Sequence, residues 1–223
     1  MAERSQFPPV LITSGSVSTA VTSRLSLYLR ELQHLVRDGH ETTSSKRLGQ
    51  PLGITGAQVR KDLANFGQFG YPGVGYRCQE LIGQIKKILG TNQPWSVALV
   101  GIGNLGRALL GYRGFIQQGF HIGVAFDIDR AMIGRTIEGI EVYGMPEMAS
   151  VIARQEIKLA ALAVPAAAAQ GVADQLVDAG IQGLLNFAPV TLSLPESVRL
   201  VEVDLAIELE QLSFAVVNRQ QKN

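Results

Sequence analysis

The sequence is poor in reactive side chains. It holds one cysteine, three histidines and one tryptophan in 223 residues. A lone Cys78 excludes a disulfide framework and a multi-cysteine zinc site. His34, His40 and His121 stand far apart, which leaves little material for histidine-based catalysis or metal ligation, and no metal is expected. No run reaches 18 consecutive apolar residues and no basic-then-apolar leader opens the chain. Neither a membrane span nor a secretory signal is therefore expected, and the cytoplasm is the expected location. What the chain does have is apolar material: 46% hydrophobic against 17% charged residues, enough for a sizeable core. That excludes wholesale disorder. The length suits one large domain or two small ones.

The formal net charge of +1 hides an asymmetry. Residues 1–90 carry 11 Lys and Arg against 6 Asp and Glu, a net of +5, whereas residues 91–223 carry 9 against 13, a net of −4. A basic half beside an acidic half suits a chain of which one part meets a polyanion. Charge alone leaves chance fluctuation equally open, so the motifs decide.

In the basic half, residues 1–14, with Pro8-Pro9, read as a flexible tail. Val21, Leu25, Tyr28 or Leu29, Leu32, Leu35 and Val36 then recur at helical spacing, and Asp38-Gly39 ends the helix. Ser44 and Ser45 can cap a short second helix, stopped by Pro51 and Gly53. Thr55 can cap a third over 56–66, with Val59, Leu63 and Phe66 facing inward. Residues 67–76 contain four glycines and a proline, which suits two short β arms joined by a turn, and a fourth helix follows over 79–89. Three helices, a glycine-rich hairpin and a further helix form a winged helix-turn-helix over 15–90. Its expected DNA contacts are Ser45, Lys46 and Arg47 on the second helix, Thr55, Gly56, Gln58, Arg60 and Lys61 on the reading helix, and Tyr71 and Gly73 on the wing. Gln and Arg can bond base edges, Arg and Lys neutralise phosphates, and a helix N-terminus offers backbone N–H groups to a phosphate. Ordinary solvated charges on a small helical domain are the alternative.

A polar linker, Thr91 to Pro94, leads into the acidic half. There the strand Ser96-Val97-Ala98-Leu99-Val100 runs straight into Gly101-Ile102-Gly103-Asn104-Leu105-Gly106 and then into a helical segment. The glycine run is weak by itself, but here it sits between strand and helix, where dinucleotide binding needs it. Gly101 permits the tight turn, Gly103 lets backbone approach a pyrophosphate, and Gly106 lets helix pack on sheet. The next strand ends in Asp127, 21 residues past Gly106. Its carboxylate suits ribose hydroxyls and opposes a 2′-phosphate, which favours NAD(H) over NADP(H), although Arg130 and Arg135 stand nearby. A turn or cap role for Asp127 is the bland reading. Strands at 158–164, 183–187 and 198–203 alternate with helices at 145–152 and 166–179, the pattern of a doubly wound parallel Rossmann sheet over 91–203. Ile128, Ala163, Val164, Pro165, Asn186 and Phe187 lie at strand ends and complete the expected cofactor set; Pro165 also reads simply as a strand terminator.

No proton donor or acceptor suited to hydride chemistry falls at these strand ends, and His121 opens a strand at the opposite edge. The expected role of NADH or NAD+ is a ligand that is sensed and not consumed. An apolar pocket would favour the neutral reduced ring over the cationic oxidised one. A small NAD-dependent oxidoreductase with an appended helical domain is the alternative. The terminal segment 204–223 has nine apolar residues in the thirteen from Leu205 to Val217, spread around the helix. Such a helix needs cover on most sides, from a partner subunit or from its own chain.

Together, Arg24-Leu25 with Leu27-Tyr28, Gln58 to Leu63, Gly73-Val74-Gly75-Tyr76, Val100 to Ala108, Asn186-Phe187-Ala188-Pro189 and Val203-Asp204-Leu205 resemble the Rex family of bacterial redox-sensing transcriptional repressors over nearly the whole chain. The resemblance implies a homodimer that holds palindromic double-stranded operator DNA, a domain-swapped C-terminal helix, and release of DNA when NADH binds. It also makes Arg24, Tyr112 and Asp204 candidates for a switch in which Asp204 pairs with Arg24 in the DNA-bound state and with Tyr112 in the NADH-bound state. By its position alone, Asp204 is a helix N-cap. The wing departs from the family in having Tyr71-Pro72 where a basic pair is common.

Overall fold

The computed structural model describes residues 18–220, and the tail expected over residues 1–14 lies outside them. The chain divides into two compact units between Gln93 and Pro94.

In the first unit, α1 (Thr19–Arg37) buries Leu25, Tyr28, Leu29, Leu32 and Leu35 along one face and stops at Asp38. β1 (Thr42–Thr43) leads to α2 (Ser45–Gly49), where the Ser44 hydroxyl accepts the Arg47 N–H. A single 3₁₀ turn, Gln50–Leu52, separates α2 from α3 (Gly56–Ala64), whose N-terminus is capped by Thr55 accepting the Gln58 N–H. Both caps remove an orphan donor, and they place the two helices on either side of a tight turn. β2 (Tyr76–Arg77) and α4 (Cys78–Leu89) complete the unit. Its core joins the apolar face of α1 to Leu48, Val59, Leu63, Phe66, Leu81 and Ile85.

The wing differs from the expected two-armed hairpin over 67–76. Only Tyr71 and Gly75 bridge each other, and β2 pairs antiparallel with β1. The first arm has one large apolar side chain, Phe69, and it is buried in the core. The flanking glycines offer a strand nothing to pack. α3 ends at Ala64, two residues early; Asn65 and Phe66 close it with turn bonds to the Asp62 and Leu63 carbonyls.

The second unit is built on a seven-stranded sheet. In chain order its elements are β3 (Trp95–Val100), α5 (Asn104–Leu110), α6 (Gly114–Gln117), β4 (Phe120–Asp127), β5 (Thr136–Ile137), β6 (Ile140–Gly144), α7 (Met148–Arg154), β7 (Leu159–Leu162), α8 (Ala166–Asp178), β8 (Gly183–Asn186), β9 (Arg199–Glu202) and α9 (Leu205–Gln220). The strand order is β5-β6-β4-β3-β7-β8-β9, parallel except for the edge pair β5–β6. β3 is buried on both faces: Ala98 and Val100 join one apolar layer with α7 and α8, and Leu99 joins the other with Ile102 and Met132. That two-sided cover explains a strand that reads as a continuous apolar run. The β5–β6 hairpin escaped the sequence reading because its turn is Glu138-Gly139. Both residues have positive φ, where Asn-Gly is the usual signature.

The passage from β3 into α5 is the tightest point of this unit. Gly101 has φ +94°, and a side chain on it would press into the Ala163 carbonyl. A Cβ on Gly106 would collide with the Gly101 carbonyl oxygen. Gly106→Ala is therefore expected to destabilise the unit by roughly 1–3 kcal/mol. Thermal unfolding followed by circular dichroism checks this.

Candidate functional sites

The basic unit gathers most of the expected DNA-contacting residues on α2 and α3. Gly56 lies against the Lys46 backbone and the Ser45 hydroxyl, so the two helices touch at the start of the reading helix. The Arg60 guanidinium donates to the Ser45 hydroxyl at 2.7 Å, linking the two helices. Arg47 lies 2.6 Å from His40 Nε2. Because a guanidinium only donates, the imidazole accepts. Lys46, Arg47, Arg60 and Lys61 are all exposed. In the wing, the Tyr71 hydroxyl donates to Glu80 at 3.0 Å, Arg77 pairs with Glu80 at 3.0 Å, and its guanidinium lies over the Tyr71 ring at 4.8 Å. Tyr71 is thus tied to the base of the wing, while Gly73 and Val74 are exposed at its tip. Cys78 is buried, and burial pushes its thiol pKa up, so it is a structural residue and not a reactive one.

One buried charge lies behind this face, and the sequence reading did not single it out. Asp62 is 1% exposed. Its Oδ2 accepts from Arg24 Nε at 2.6 Å and from the Tyr28 hydroxyl at 2.7 Å. Its Oδ1 accepts from Arg24 Nη2 at 2.8 Å and from Gln58 Nε2 at 2.7 Å. Burial alone would push the carboxyl up; the bonds from Arg24, Tyr28 and Gln58 outweigh it and hold its pKa below the ordinary value. Burial and the bond to Asp62 push the Tyr28 hydroxyl well above its own. The signal was legible: an acid in the Val59, Leu63, Phe66 stripe, opposite an Arg and a Tyr four residues apart on α1. Arg24, expected in a switch, is held here by Asp62.

The acidic unit has a cleft of about 540 Å³ at the carboxyl ends of β3, β4 and β7, where the strand order reverses around β3. Its size suits a small-molecule site, and its position is where ligands sit in such sheets. Of the expected cofactor residues, Gly101, Ile102, Gly103, Asn104, Asp127, Ile128, Ala163, Val164 and Pro165 line it. Val100, Arg107, Asp129, Met132, Met145, Ala168 and Val172 line it too and were not expected. Four expected residues do not. Leu105 is exposed on α5 and Gly106 is buried against the β3 turn. Asn186 is buried, with its amide donating to the Ala188 and Val190 carbonyls and accepting the Ala188 N–H, so it shapes the loop after β8. Phe187 packs half-buried on the apolar layer below.

The cleft is shaped in advance. Asp127 Oδ2 accepts the Ile102 N–H at 2.6 Å and Oδ1 accepts the Asp129 N–H at 2.8 Å, so this carboxylate anchors the glycine turn to the end of β4. The expected cap role is therefore present, and the spare lone pairs face a site that Asp127 itself lines. Arg107, which also lines the cleft, donates to the Ile102 carbonyl at 3.3 Å. Gly103 has an ordinary φ of −70°, and a Cβ on it would meet nothing within 4 Å. The fold itself does not demand a glycine there; what the missing side chain leaves is open space over the turn. That cradle fits the phosphates of a dinucleotide. His121 lies at the start of β4, away from these strand ends.

Tyr112 is 58% exposed, its ring edge-on to Phe115 at 5.0 Å. Asp204 caps α9 by accepting the Ala206 N–H at 2.8 Å. α9 exposes Leu205, Ile207, Leu209, Leu212, Phe214, Val216 and Val217, from 49% to 73% each. Among the described residues, no helix is long and apolar enough to cross a membrane, and no group of three His, Cys, Asp or Glu could hold a metal ion.

Comparison with known proteins follows the same division. Residues 16–64 match the family described as putative DNA-binding protein N-terminus, and residues 92–190 match that described as CoA binding domain. The redox-sensing transcriptional repressor Rex of Pelotomaculum thermopropionicum is 48% identical over 92% of this chain and 96% of its own. That of Carboxydothermus hydrogenoformans is 47% identical over 90% and 96%. Among solved structures, RSP in complex with β-NAD+ and operator DNA superposes with a TM-score of 0.87 at 36% identity, over 93% of this chain and 96% of that one. RSP with β-NADH gives 0.83 at 35% identity, over 93% and 98%.

The Asp62 cluster makes the stability of the basic unit depend on pH. A carboxyl whose folded pKa is depressed contributes stability that is present above its unfolded value, about 3.9, and lost as pH falls through the folded value. The melting temperature of the wild-type protein is expected to exceed that of Asp62→Asn at pH 7. The gap should narrow as pH falls from about 4 towards 2, as read in parallel circular dichroism melts.

Proposed function

This chain belongs to the Rex family of redox-sensing transcriptional repressors, and from that premise we propose that it holds palindromic operator DNA as a homodimer and releases it when NADH enters the cleft of each acidic unit. The observation that carries the reading is the open cradle at Gly103, in a chain whose other unit presents Lys46, Arg47, Arg60 and Lys61 around a reading helix. The cationic side chains supply the salt-dependent hold on phosphates, and the first turn of α3 supplies contacts to base edges. Gly101 to Asn104 would hold the pyrophosphate and Asp127 the adenosine ribose; Asp127 also disfavours a phosphorylated ribose. Ala163, Val164 and Pro165 give the cleft an apolar wall, which suits the neutral reduced ring better than the cationic oxidised one. The ligand's chemistry is read and not used: the relatives are named repressors, and the chain is not an enzyme. A DNA-bound repressor works in the cytoplasm.

The exposed apolar surface of α9 supports the dimer, each helix covered by the other subunit. Two reading heads then meet two half-sites about one DNA turn apart. Asp204 remains the proposed switch residue, pairing with Arg24 in the DNA-bound state and with Tyr112 in the NADH-bound state, and any pairing of Arg24 with Asp204 has to share or displace the bond of Arg24 to Asp62.

The central test is fluorescence anisotropy of a labelled operator duplex bound to the protein, titrated with NADH at fixed NAD+. Release by NADH is expected for the wild type, and Gly103→Val, which fills the cradle, is expected to bind DNA but to stay bound. Equal response to the two redox forms would overturn the reading. Phe214→Asp is expected to turn a dimer into a monomer in sedimentation velocity and to weaken operator binding by at least tenfold, because the second half-site contact is lost.

A further inference from the structure

The sequence of the first turn of α3, Thr55-Gly56-Ala57-Gln58, is that of a capping box, in which the Gln side chain folds back to the N-cap N–H. Only half of the box forms. The Thr55 hydroxyl accepts the Gln58 N–H, but the Gln58 amide turns away and gives its Nε2 to Asp62 Oδ1 at 2.7 Å. Because an ionised carboxylate only accepts, the amide nitrogen has to face Asp62. The carboxylate cannot turn to follow its neighbours. Arg24 grips both oxygens and the Tyr28 hydroxyl takes a further bond, so four donors occupy a group that is 1% exposed.

We infer that Asp62 is a positioning residue for base recognition: it fixes the Gln58 amide in one orientation at the DNA-facing turn of the reading helix. Gln58 is half-buried, and it keeps an amide oxygen and a second N–H free to address a base edge. That acceptor and donor pair matches the N6 amino group and N7 of adenine in the major groove. An amide free to flip would present the reverse pair half of the time and lose the distinction. The inference rests on the DNA-binding reading above and names the base it selects. It also makes selectivity depend on α1, through Arg24 and Tyr28.

The test is operator binding with every base pair of one half-site replaced in turn, against a scrambled duplex, for the wild type, Gln58→Met, Asp62→Asn and the double variant. The wild type is expected to prefer an A·T pair by about tenfold at one position. Gln58→Met should erase that preference, Asp62→Asn should reduce it, and the double variant should be no worse than Gln58→Met. Salt dependence should be unchanged in all three, since no phosphate contact is lost, whereas Lys61→Ala should lower the slope by about one unit. Preference unchanged in Gln58→Met overturns the inference. So does a folded Asp62→Asn that weakens operator and scrambled duplex equally, which is the mark of a merely structural role. Should Asp62→Asn not fold, the side-chain amide resonances of wild-type Gln58 decide. One proton shifted and protected from exchange, free and in the operator complex, supports the inference; two fast-exchanging protons overturn it. A wild type that binds no duplex would instead sink the DNA-binding reading.

Discussion

A carboxylate shut away from water is tolerable only if its lone pairs are filled, and in the basic unit that requirement draws two helices together. Arg24 and Tyr28 come from α1, Gln58 and Asp62 from α3, and their bonds converge on two oxygen atoms. Apolar packing between the same helices is non-directional and would accept small rotations of α3. Hydrogen bonds to a saturated carboxylate do not. The pose of the reading helix therefore rests on a polar contact at the edge of an otherwise apolar core, and breaking it by removing one partner costs about 3–5 kcal/mol.

The acidic unit solves a different problem with a similar device. Its glycine turn must pass close enough to the sheet to leave room above it, and it must be held there before any ligand arrives. Main-chain contact at Gly101 and Gly106 brings it close, and the Asp127 carboxylate anchors it through the Ile102 N–H. A turn already ordered costs a ligand little to engage. Asp127 is thus a fold residue and a candidate ligand residue at once, and its cap and ribose readings do not compete.

Much of this was legible in the sequence because local rules and tertiary demands agreed. Ser44 and Thr55 are caps, the apolar stripe of α1 is buried as spaced, and the glycine run lies between strand and helix. The misses have particular causes. Phe69 was more use to the core than to a wing strand, and Glu138-Gly139 makes a turn usually written with Asn. Asn186 reads as a ligand residue from its place at a strand end, yet its amide is consumed by its own loop. Asp62 carried a signal that was passed over, an acid within the apolar stripe of α3, and its burial is what gives that signal weight. The cleft residues supplied by other elements, such as Met132, Met145 and Val172, carry no motif at all; they are brought in by the winding of the sheet.

In the proposed dimer, α9 would tie the life of each protomer to its abundance. Seven large apolar side chains stand in solvent along one helix, so a solitary chain is a sticky object, and whatever covers those side chains is part of the folded state. In the proposed dimer, folding and association would be one equilibrium, with melting temperatures that climb with the logarithm of protein concentration. Below some cellular dosage such a chain would be lost to proteases or aggregates before it could act, and synthesis of neighbouring copies from one message would ease its assembly.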